Sequence, residues 1–344
     1  MLKIIAIILM FGLIVFVHEF GHFLFAKLNH IRVNEFAIGM GPAIMKFGKK
    51  ETQYSVRLLP IGGYCLMAGQ DGEETEVEGS FDSKSVLARL SVMLAGPFFN
   101  FILALLISVG TAHFYQVDPP VITEVSQGSP AAEAGLEAGD EITAINGSNI
   151  YLFREITLFR ELEDLTKPVE LTWLHNGQYK TATLNLSEKQ NYMFGITCMP
   201  REAKNFGEEL YYSLIEVRFQ IKTAITSVKM LFSGRASVKD LSGPVGIGNM
   251  MSEVIDEAEA SGGTKNAILS ILSFMVLVSA NLGVMNLLPI PGLDGGRIIF
   301  LLIEAITRKK VPKNKEMIVT FIGFALLMLL MIFVFFNDIT KLFH

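Results

Sequence analysis

The sequence predicts a polytopic α-helical membrane protein with four transmembrane helices, a membrane-associated β-hairpin region and an inserted extracytoplasmic domain. Three observations support this fold class. Of the 344 residues, 51% are hydrophobic and only 18% are charged, whereas soluble proteins carry about 25% charged residues. Four apolar stretches each approach the ~20 residues that cross a bilayer. Positive charges also concentrate on one side of these stretches, as expected for membrane spans.

The four apolar stretches are the predicted spans. They run from Ile4 to about Phe25, from about Leu90 to Ala112, from Ala267 to Pro289 and from Met317 to Phe336. The first is not predicted to be a cleavable signal peptide, because no small-residue cleavage site follows its apolar run.

Basic residues set the predicted orientation of the spans. One cluster follows the first span, and a second lies between the third and fourth spans: Lys27, Arg32, Lys46, Lys49, Lys50 and Arg57, then Arg297, Arg308, Lys309, Lys310, Lys313 and Lys315. The positive-inside rule places both clusters in the cytoplasm. From Gln116 to Pro200, twelve Asp or Glu residues stand against five Lys or Arg. This segment and both termini are therefore predicted to lie outside the cytoplasm, and the net charge of −5 gives no indication of a nucleic-acid partner.

The spans divide the chain into four predicted regions. Residues 1–115 and 266–344 form the two parts of the membrane domain, and residues 116–200 form the inserted domain. Residues 201–265 are an extracytoplasmic linker with amphipathic helices. Within the linker, Phe206 to Phe232 repeats apolar residues at helical spacing. This helix is interpreted either as packing one face on the body of the protein or as lying on the membrane surface.

The inserted segment alternates short β-prone runs with turn signals. Residues 128–150 read as a turn, a short helix, a turn, a strand and an Asn146-Gly147 turn, and Asn176-Gly177 closes a hairpin. This pattern resembles a PDZ domain of the kind found on bacterial membrane proteases. On the cytoplasmic side, residues 31–68 predict a β-hairpin or small sheet, and Glu73 to Glu78 an acidic, solvated loop.

Metal-ligating residues end the first span. His18, Glu19 and His22 fit the pattern HExxH, in which two histidines four residues apart share one helix face and bind one Zn²⁺. The adjacent glutamate then approaches the metal-bound water. A chance match would place ionisable side chains in an apolar span, where each is costly unless it is paired or bound. Cys65 and Cys198 are far apart and predict neither a disulfide nor a cysteine metal cluster.

Asp294 is the best candidate for the third metal ligand. The other histidines, His30, His113, His175 and His344, lie in loops, in the inserted domain or at the chain end. Asp294 stands instead at the cytoplasmic end of the third span, on the same predicted side as His18 and His22. Pro289 and Pro291 break the helix there, and irregular backbone at this depth indicates a protein-lined or water-filled cavity.

The whole set of motifs resembles the site-2 protease family, in its bacterial RseP-like type with a single PDZ domain. The matching segments are HEFGH (18–22), FAIGMGP (36–42), PIGGY (60–64), AGPFFN (95–100), SGPVGIG (242–248) and NLLPIPGLDGG (286–296). The resemblance implies metal ligation by His18, His22 and Asp294, with Glu19 as the catalytic base. It also implies a substrate-contacting role for Asn286, which would otherwise bond a neighbouring helix.

Further candidate substrate contacts are Pro289 and Pro291 in the broken segment and Gly62, Gly63 and Tyr64 in the cytoplasmic β region. A substrate helix must unwind before cleavage, and its freed backbone groups could pair with a strand edge near Gly63.

The resemblance implies a zinc-dependent intramembrane endopeptidase of the bacterial inner membrane, with its active site near the cytoplasmic side. Its expected partners are the lipid bilayer and single-span proteins, such as pre-trimmed anti-sigma factors and remnant signal peptides. Two alternatives are a non-catalytic PDZ scaffold or chaperone and a metal-ion transporter. HExxH with a matching Asp294 argues against the scaffold, and the scarcity of acids in the spans argues against the transporter.

Overall fold

The computed structural model describes residues 2–48, 51–70, 78–186, 193–237 and 242–342. Most of the predicted acidic loop at Glu73 to Glu78, together with Lys49, Lys50 and His344, lies outside the described residues. The chain divides into two compact units, Met1–Ser108 with Gln220–His344 and Val109–Phe219. These are called the membrane unit and the inserted unit below.

Within the described residues, four helices are long and apolar enough to cross a membrane, as predicted. They are α1 (Leu2–Leu28), α2 (Val86–Thr111), α6 (Pro244–Asn286) and α8 (Lys313–Leu342). An α-helix satisfies most of its backbone hydrogen bonds within its own segment, which is what a hydrocarbon environment requires.

The third predicted span lies in the second half of a longer helix, and its predicted end at Pro289 is wrong. Helix α6 begins at Pro244 and contains a kink at Gly262 and Gly263, so Ala267 to Pro289 covers only its second half. The helix ends at Asn286, because Pro289 and Pro291 offer no backbone N–H and disfavour helical geometry in the residues before them. A helix that the sequence did not predict, α7 (Asp294–Thr307), then begins at Asp294 itself.

The region predicted to be a β-hairpin or small sheet contains two long strands, β1 (Val33–Phe47) and β2 (Gln53–Met67). They form more than a simple hairpin. Residues 33–38 pair antiparallel with 63–67, and residues 43–47 pair antiparallel with 54–57. Residues 35–38 also pair with residues 53–56, and in this pairing the two segments run in the same direction. Each strand therefore bends, and Gly39, Gly41 and Gly62 supply the positive φ angles near the bends.

Two apolar clusters hold the membrane unit together. One packs α1, β1, β2, α2 and α7 around Ala26, Ile31, Val92 and Leu301, and the other packs α1 against α6 around Ile14 and Met251. Polar contacts reinforce the packing. Arg89 donates two hydrogen bonds to Glu304 of α7, at 2.6 and 3.0 Å. The buried Asp338 of α8 accepts the backbone N–H groups of Gly243 and Gly246 at the start of α6.

The inserted unit has two small antiparallel sheets. Strand β3 (Glu124–Val125) pairs with β8 (Ile196–Thr197), and the other sheet has the order β5-β4-β6-β7: Ser148–Asn149, Glu141–Ile145, Val169–His175 and Gln178–Leu184. Helices α3 (Pro130–Glu133) and α4 (Phe153–Leu162) complete the unit around the buried Trp173. The predicted turns at Asn146 and Asn176 have positive φ.

Helix α5 (Phe206–Phe232) matches the predicted linker helix. Its first part packs on the inserted unit, where Arg218 donates to Glu155 at 3.1 Å and Glu216 lies 2.8 Å from Arg154. Both cysteines are free, as predicted.

Candidate metal centre

Two imidazoles project from one face of α1 into the interior of the membrane unit. His18 and His22 are 7% and 5% exposed, and their ring centroids lie 4.8 Å apart. Four residues advance an α-helix by slightly more than one turn, so the rings lie side by side. Their Nε2 atoms are 3.2 Å apart.

Asp294 reaches these imidazoles from the first residue position of α7. Its Oδ2 lies 3.2 Å from Nε2 of His18 and 3.3 Å from Nε2 of His22. The two glycines that follow make this approach possible. A Cβ on Gly295 would clash with the carbonyl of Leu288, and a Cβ on Gly296 would lie 2.5 Å from the carbonyl oxygen of Ile290.

The three ligand atoms fit a tetrahedral metal. They form a nearly equilateral triangle with edges of 3.2 to 3.3 Å. A tetrahedral Zn²⁺ with ligands at about 2.0–2.1 Å separates neighbouring ligand atoms by about 3.3 Å. Among the described residues, Oδ2 of Asp294 is buried without a hydrogen-bond partner. A buried carboxylate oxygen in this position needs a cation. The donor set therefore suits zinc, with a fourth position left for water.

Helix α2 forms the wall of the site at Gly96. A Cβ there would clash with Nε2 of His22 and would lie 2.8 Å from Cε1 of His18. Gly21 of α1 contacts α2 closely in the same way, since its Cβ would lie 2.5 Å from the carbonyl oxygen of Ala95. The two glycines let the helices approach until backbone encloses the imidazoles. The segment AGPFFN (95–100) was predicted only as a family motif, and the close contact of Gly96 with the imidazoles was not predicted.

Hydrogen bonds at the far nitrogens orient both rings. Nδ1 of His22 lies 2.8 Å from the carbonyl oxygen of Val92. A carbonyl only accepts, so this Nδ1 carries the proton and a neutral ring keeps its Nε2 lone pair for a metal. Nδ1 of His18 lies 3.2 Å from Nδ2 of Asn100. Sequence reasoning missed both partners, although a lone asparagine in an apolar span was a usable signal.

Glu19 lies beside the triangle. Its carboxylate interacts electrostatically with His18, His22 and Asp294, and it accepts a hydrogen bond from the backbone of Cys65. Strand β2 therefore passes next to this carboxylate. A Cβ on Gly63 would lie 3.5 Å from Cγ of Glu19.

The other candidate substrate residues occupy different surroundings. The phenol of Tyr64 bonds Arg57, and a Cβ on Gly62, at φ +83°, would lie 2.7 Å from Cε of Met40. Asn286 is the last residue of α6. Pro291 packs on α8, where its Cβ would lie 2.5 Å from a Cβ on Gly323, and Pro289 is exposed. Gly63, by contrast, lies beside Glu19, where its added Cβ would be in ordinary van der Waals contact.

A HExxH helix buried among apolar spans, with an aspartate closing the triangle, defines a zinc metalloprotease of the membrane. The sequence profile of Peptidase family M50 matches residues 6–330. The chain belongs to this family, the site-2 proteases, and is an intramembrane zinc metalloendopeptidase.

Curated relatives agree with this assignment. A protein of Clostridium acetobutylicum that carries a zinc metalloprotease name is 40% identical over 98% of this chain and 97% of its own length. The zinc metalloprotease RasP of Geobacillus kaustophilus is 32% identical over 99% of this chain and 98% of its own length. The regulator of sigma-W protease RasP of Bacillus subtilis is 32% identical over 99% of each chain. Among solved structures, a PDZ domain from Listeria monocytogenes is 26% identical and covers 24% of this chain and 88% of its own length, with a TM-score of 0.22.

Proposed function

We propose that this protease cleaves the transmembrane segments of single-span proteins at a zinc site held by His18, His22 and Asp294. The observation that carries the proposal is the triangle of ligand atoms, with edges of 3.2 to 3.3 Å, inside an apolar helical unit. When bound, the zinc ion supplies Lewis acidity, which lowers the pKa of a coordinated water and polarises the scissile carbonyl.

Glu19 acts as the general base and then as the general acid. Its carboxylate accepts the proton of the attacking water and delivers it to the nitrogen of the departing amine. Its closeness to both histidines supports this role. The hydrogen bond from the Cys65 backbone keeps the carboxylate on the substrate side of α1.

The unwound substrate is held by backbone pairing at β2. Gly63 is the β2 residue that lies beside Glu19, where an added Cβ would be 3.5 Å from Cγ of Glu19, so a substrate paired with β2 by strand addition would pass next to the catalytic base. Asn286 holds the substrate backbone at the end of α6. Pro289 and Pro291 keep the adjoining segment open, while Gly62 and Tyr64 shape the strand that receives the substrate.

The orientation follows from the two basic clusters, so the site faces the cytoplasmic side of a bacterial inner membrane. Residues 116–200 are then an extracytoplasmic PDZ domain and 201–265 its linker, inserted between membrane-domain parts 1–115 and 266–344.

Cysteine labelling from outside the cell tests this orientation. An external label should react with Tyr179→Cys, which is 73% exposed, but not with the exposed Lys309→Cys. Both are tested without Cys65 and Cys198, and the reverse pattern would overturn the orientation.

The substrates are anti-sigma factors whose external part a first protease has already trimmed, together with remnant signal peptides. The Bacillus subtilis relative is named as a regulator of sigma-W, which supports this substrate class. A PDZ domain outside the membrane is about 30 Å from a cytoplasmic-side site. It therefore acts as a gate that excludes bulky external domains.

Co-expression with a tagged single-span substrate tests the proposal. Wild type should cleave a trimmed substrate and spare the untrimmed one, and Glu19→Gln should cleave neither. Replacing residues 116–200 by a short linker should preserve zinc and release cleavage of both. Loss of trimmed-substrate cleavage in that zinc-loaded deletion would overturn the gate, and cleavage by Glu19→Gln would overturn the base.

A further inference from the structure

Asn100 is a fully buried polar side chain that the reaction just described does not use. It lies on α2 at 0% exposure, one helical turn after Gly96. Its Nδ2 is 3.2 Å from Nδ1 of His18, and its Oδ1 has no hydrogen-bond partner among the described residues. A buried amide in an apolar span is costly unless its groups are bonded.

The metal imposes a condition on this contact. His18 can ligate zinc through Nε2 only if its proton sits on Nδ1, and that N–H then needs an acceptor. His22 meets the same condition through the carbonyl of Val92. Asn100 is the group that faces Nδ1 of His18, and its amide meets the condition when it turns by 180° and presents Oδ1.

A hydrogen bond from α6 holds the backbone of Asn100 in place. Ser279 of α6, itself fully buried, donates its hydroxyl to the carbonyl oxygen of Asn100 at 2.8 Å. Gly96 on the same face of α2 brings the helix against Cε1 of His18. Helix α2 therefore contacts the imidazoles at two positions. Gly96 allows the helix backbone to approach both rings, and Asn100 can form a hydrogen bond with His18.

We propose that Asn100 is a positioning residue, which holds His18 in the zinc-ligating tautomer by accepting its Nδ1–H. The inference rests on the proposed zinc site. Asparagine also donates to an unprotonated Nδ1 in the metal-free protein, so one side chain serves both states. Removing the acceptor should weaken zinc binding about 10- to 100-fold.

Chelator competition on the full-length protein in detergent tests this role. Asn100→Leu should bind zinc about 10- to 100-fold more weakly than wild type, whereas Asn100→Asp, which restores an acceptor, should recover most of the affinity. Asn100→Ala replaces the leucine variant if that variant does not fold. The control is Asn281→Leu, because the Asn281 amide donates within its own helix, to Leu277 at 2.8 Å, and zinc affinity should not change.

Wild-type zinc affinity in Asn100→Leu would overturn the proposal, as would an Asn100→Asp variant that binds no better than Asn100→Leu. A purely packing role would lower the thermal stability of the metal-free protein without this rescue. Failure of the zinc site itself is distinguishable, because wild type and Asn281→Leu would then also bind no zinc.

Discussion

Each unit of this chain contains a carboxylate with a buried oxygen atom, and the two units surround it differently. In the inserted unit, Glu155 has a fully buried side chain that accepts from the backbone of Tyr151 at 2.8 Å and from Arg218 at 3.1 Å. In the membrane unit, Asp294 faces two imidazole nitrogens at 3.2 and 3.3 Å, and its Oδ2 accepts no hydrogen bond from the described residues. Hydrogen-bond donors around a buried carboxylate indicate a structural role. A carboxylate oxygen that faces imidazole nitrogens able to act as ligands indicates a cation site.

The largest effect expected from this comparison concerns Glu19, the acid beside the triangle. Glu19→Gln keeps the size and shape of the side chain, but the amide cannot accept a proton from the attacking water. Proteolysis should therefore fall by about 10²–10⁴-fold. Zinc content should stay near one per chain, because Glu19 is outside the proposed ligand set of His18, His22 and Asp294. Metal analysis and a cleavage assay measure both, with the exposed Glu78→Gln as a control of wild-type activity. Zinc loss in Glu19→Gln would contradict the division between ligands and base.

A smaller effect is expected at the wall of the site. Gly96→Ala places a methyl group 2.6 Å from Cε1 of His22 and should push the two imidazoles apart. Zinc affinity should fall by at least about ten-fold, which is the usual cost of disturbing the groups that orient metal ligands. Gly110→Ala is the matched control on the same helix, because a Cβ there meets nothing within 4 Å. Equal zinc affinities of the two variants would show that α2 does not shape the centre.

The smallest effect tests whether charges in the inserted unit are structural. Hydrogen bonds from the Arg201 guanidinium and the Lys204 backbone lower the pKa of Glu208 from 4.5 to about 2. The stabilising contribution of a carboxyl with a depressed pKa is present above its unfolded pKa and is lost as pH falls through the folded value. Protection from hydrogen exchange at 201–212, expressed as the measured rate relative to the intrinsic rate at each pH, should therefore fall between about pH 4.5 and about pH 2.

Glu208→Gln removes the ionisable group and should flatten this acid dependence. Zinc binding at neutral pH should be the same in the variant and in wild type. A wild-type exchange profile that is already flat over this range would contradict a structural role for the Arg201–Glu208 pair.

Local pattern predicted much of the fold, and tertiary packing accounts for the rest. The four spans were predictable because apolar length alone decides them. Helix α7 was not, because Asp294–Thr307 has only 14 residues, too few to span a bilayer. The first half of α6 was missed for a related reason. Its segment before Gly262 carries several acids, so a search for apolar runs passes over it.

The same division holds at the site. The pairing of His18 with His22 follows from helix geometry within five residues. The approach of Asp294 depends on contacts across more than 270 positions, and the sequence suggested it only through the shared membrane side. The roles of Gly96 and Asn100 were not predicted, because no local pattern specifies which face α2 turns towards α1.

The reciprocal comparison of Asp294→Asn with Glu155→Gln tests the central claim most directly, with zinc affinity and thermal unfolding measured on both variants. Asp294→Asn should lose at least about 100-fold in zinc affinity through the lost ligand and leave the inserted unit intact. Glu155→Gln should bind zinc like wild type but destabilise the inserted unit by about 1–3 kcal/mol, since its donors lose a charged acceptor. Wild-type zinc affinity in Asp294→Asn would contradict the account.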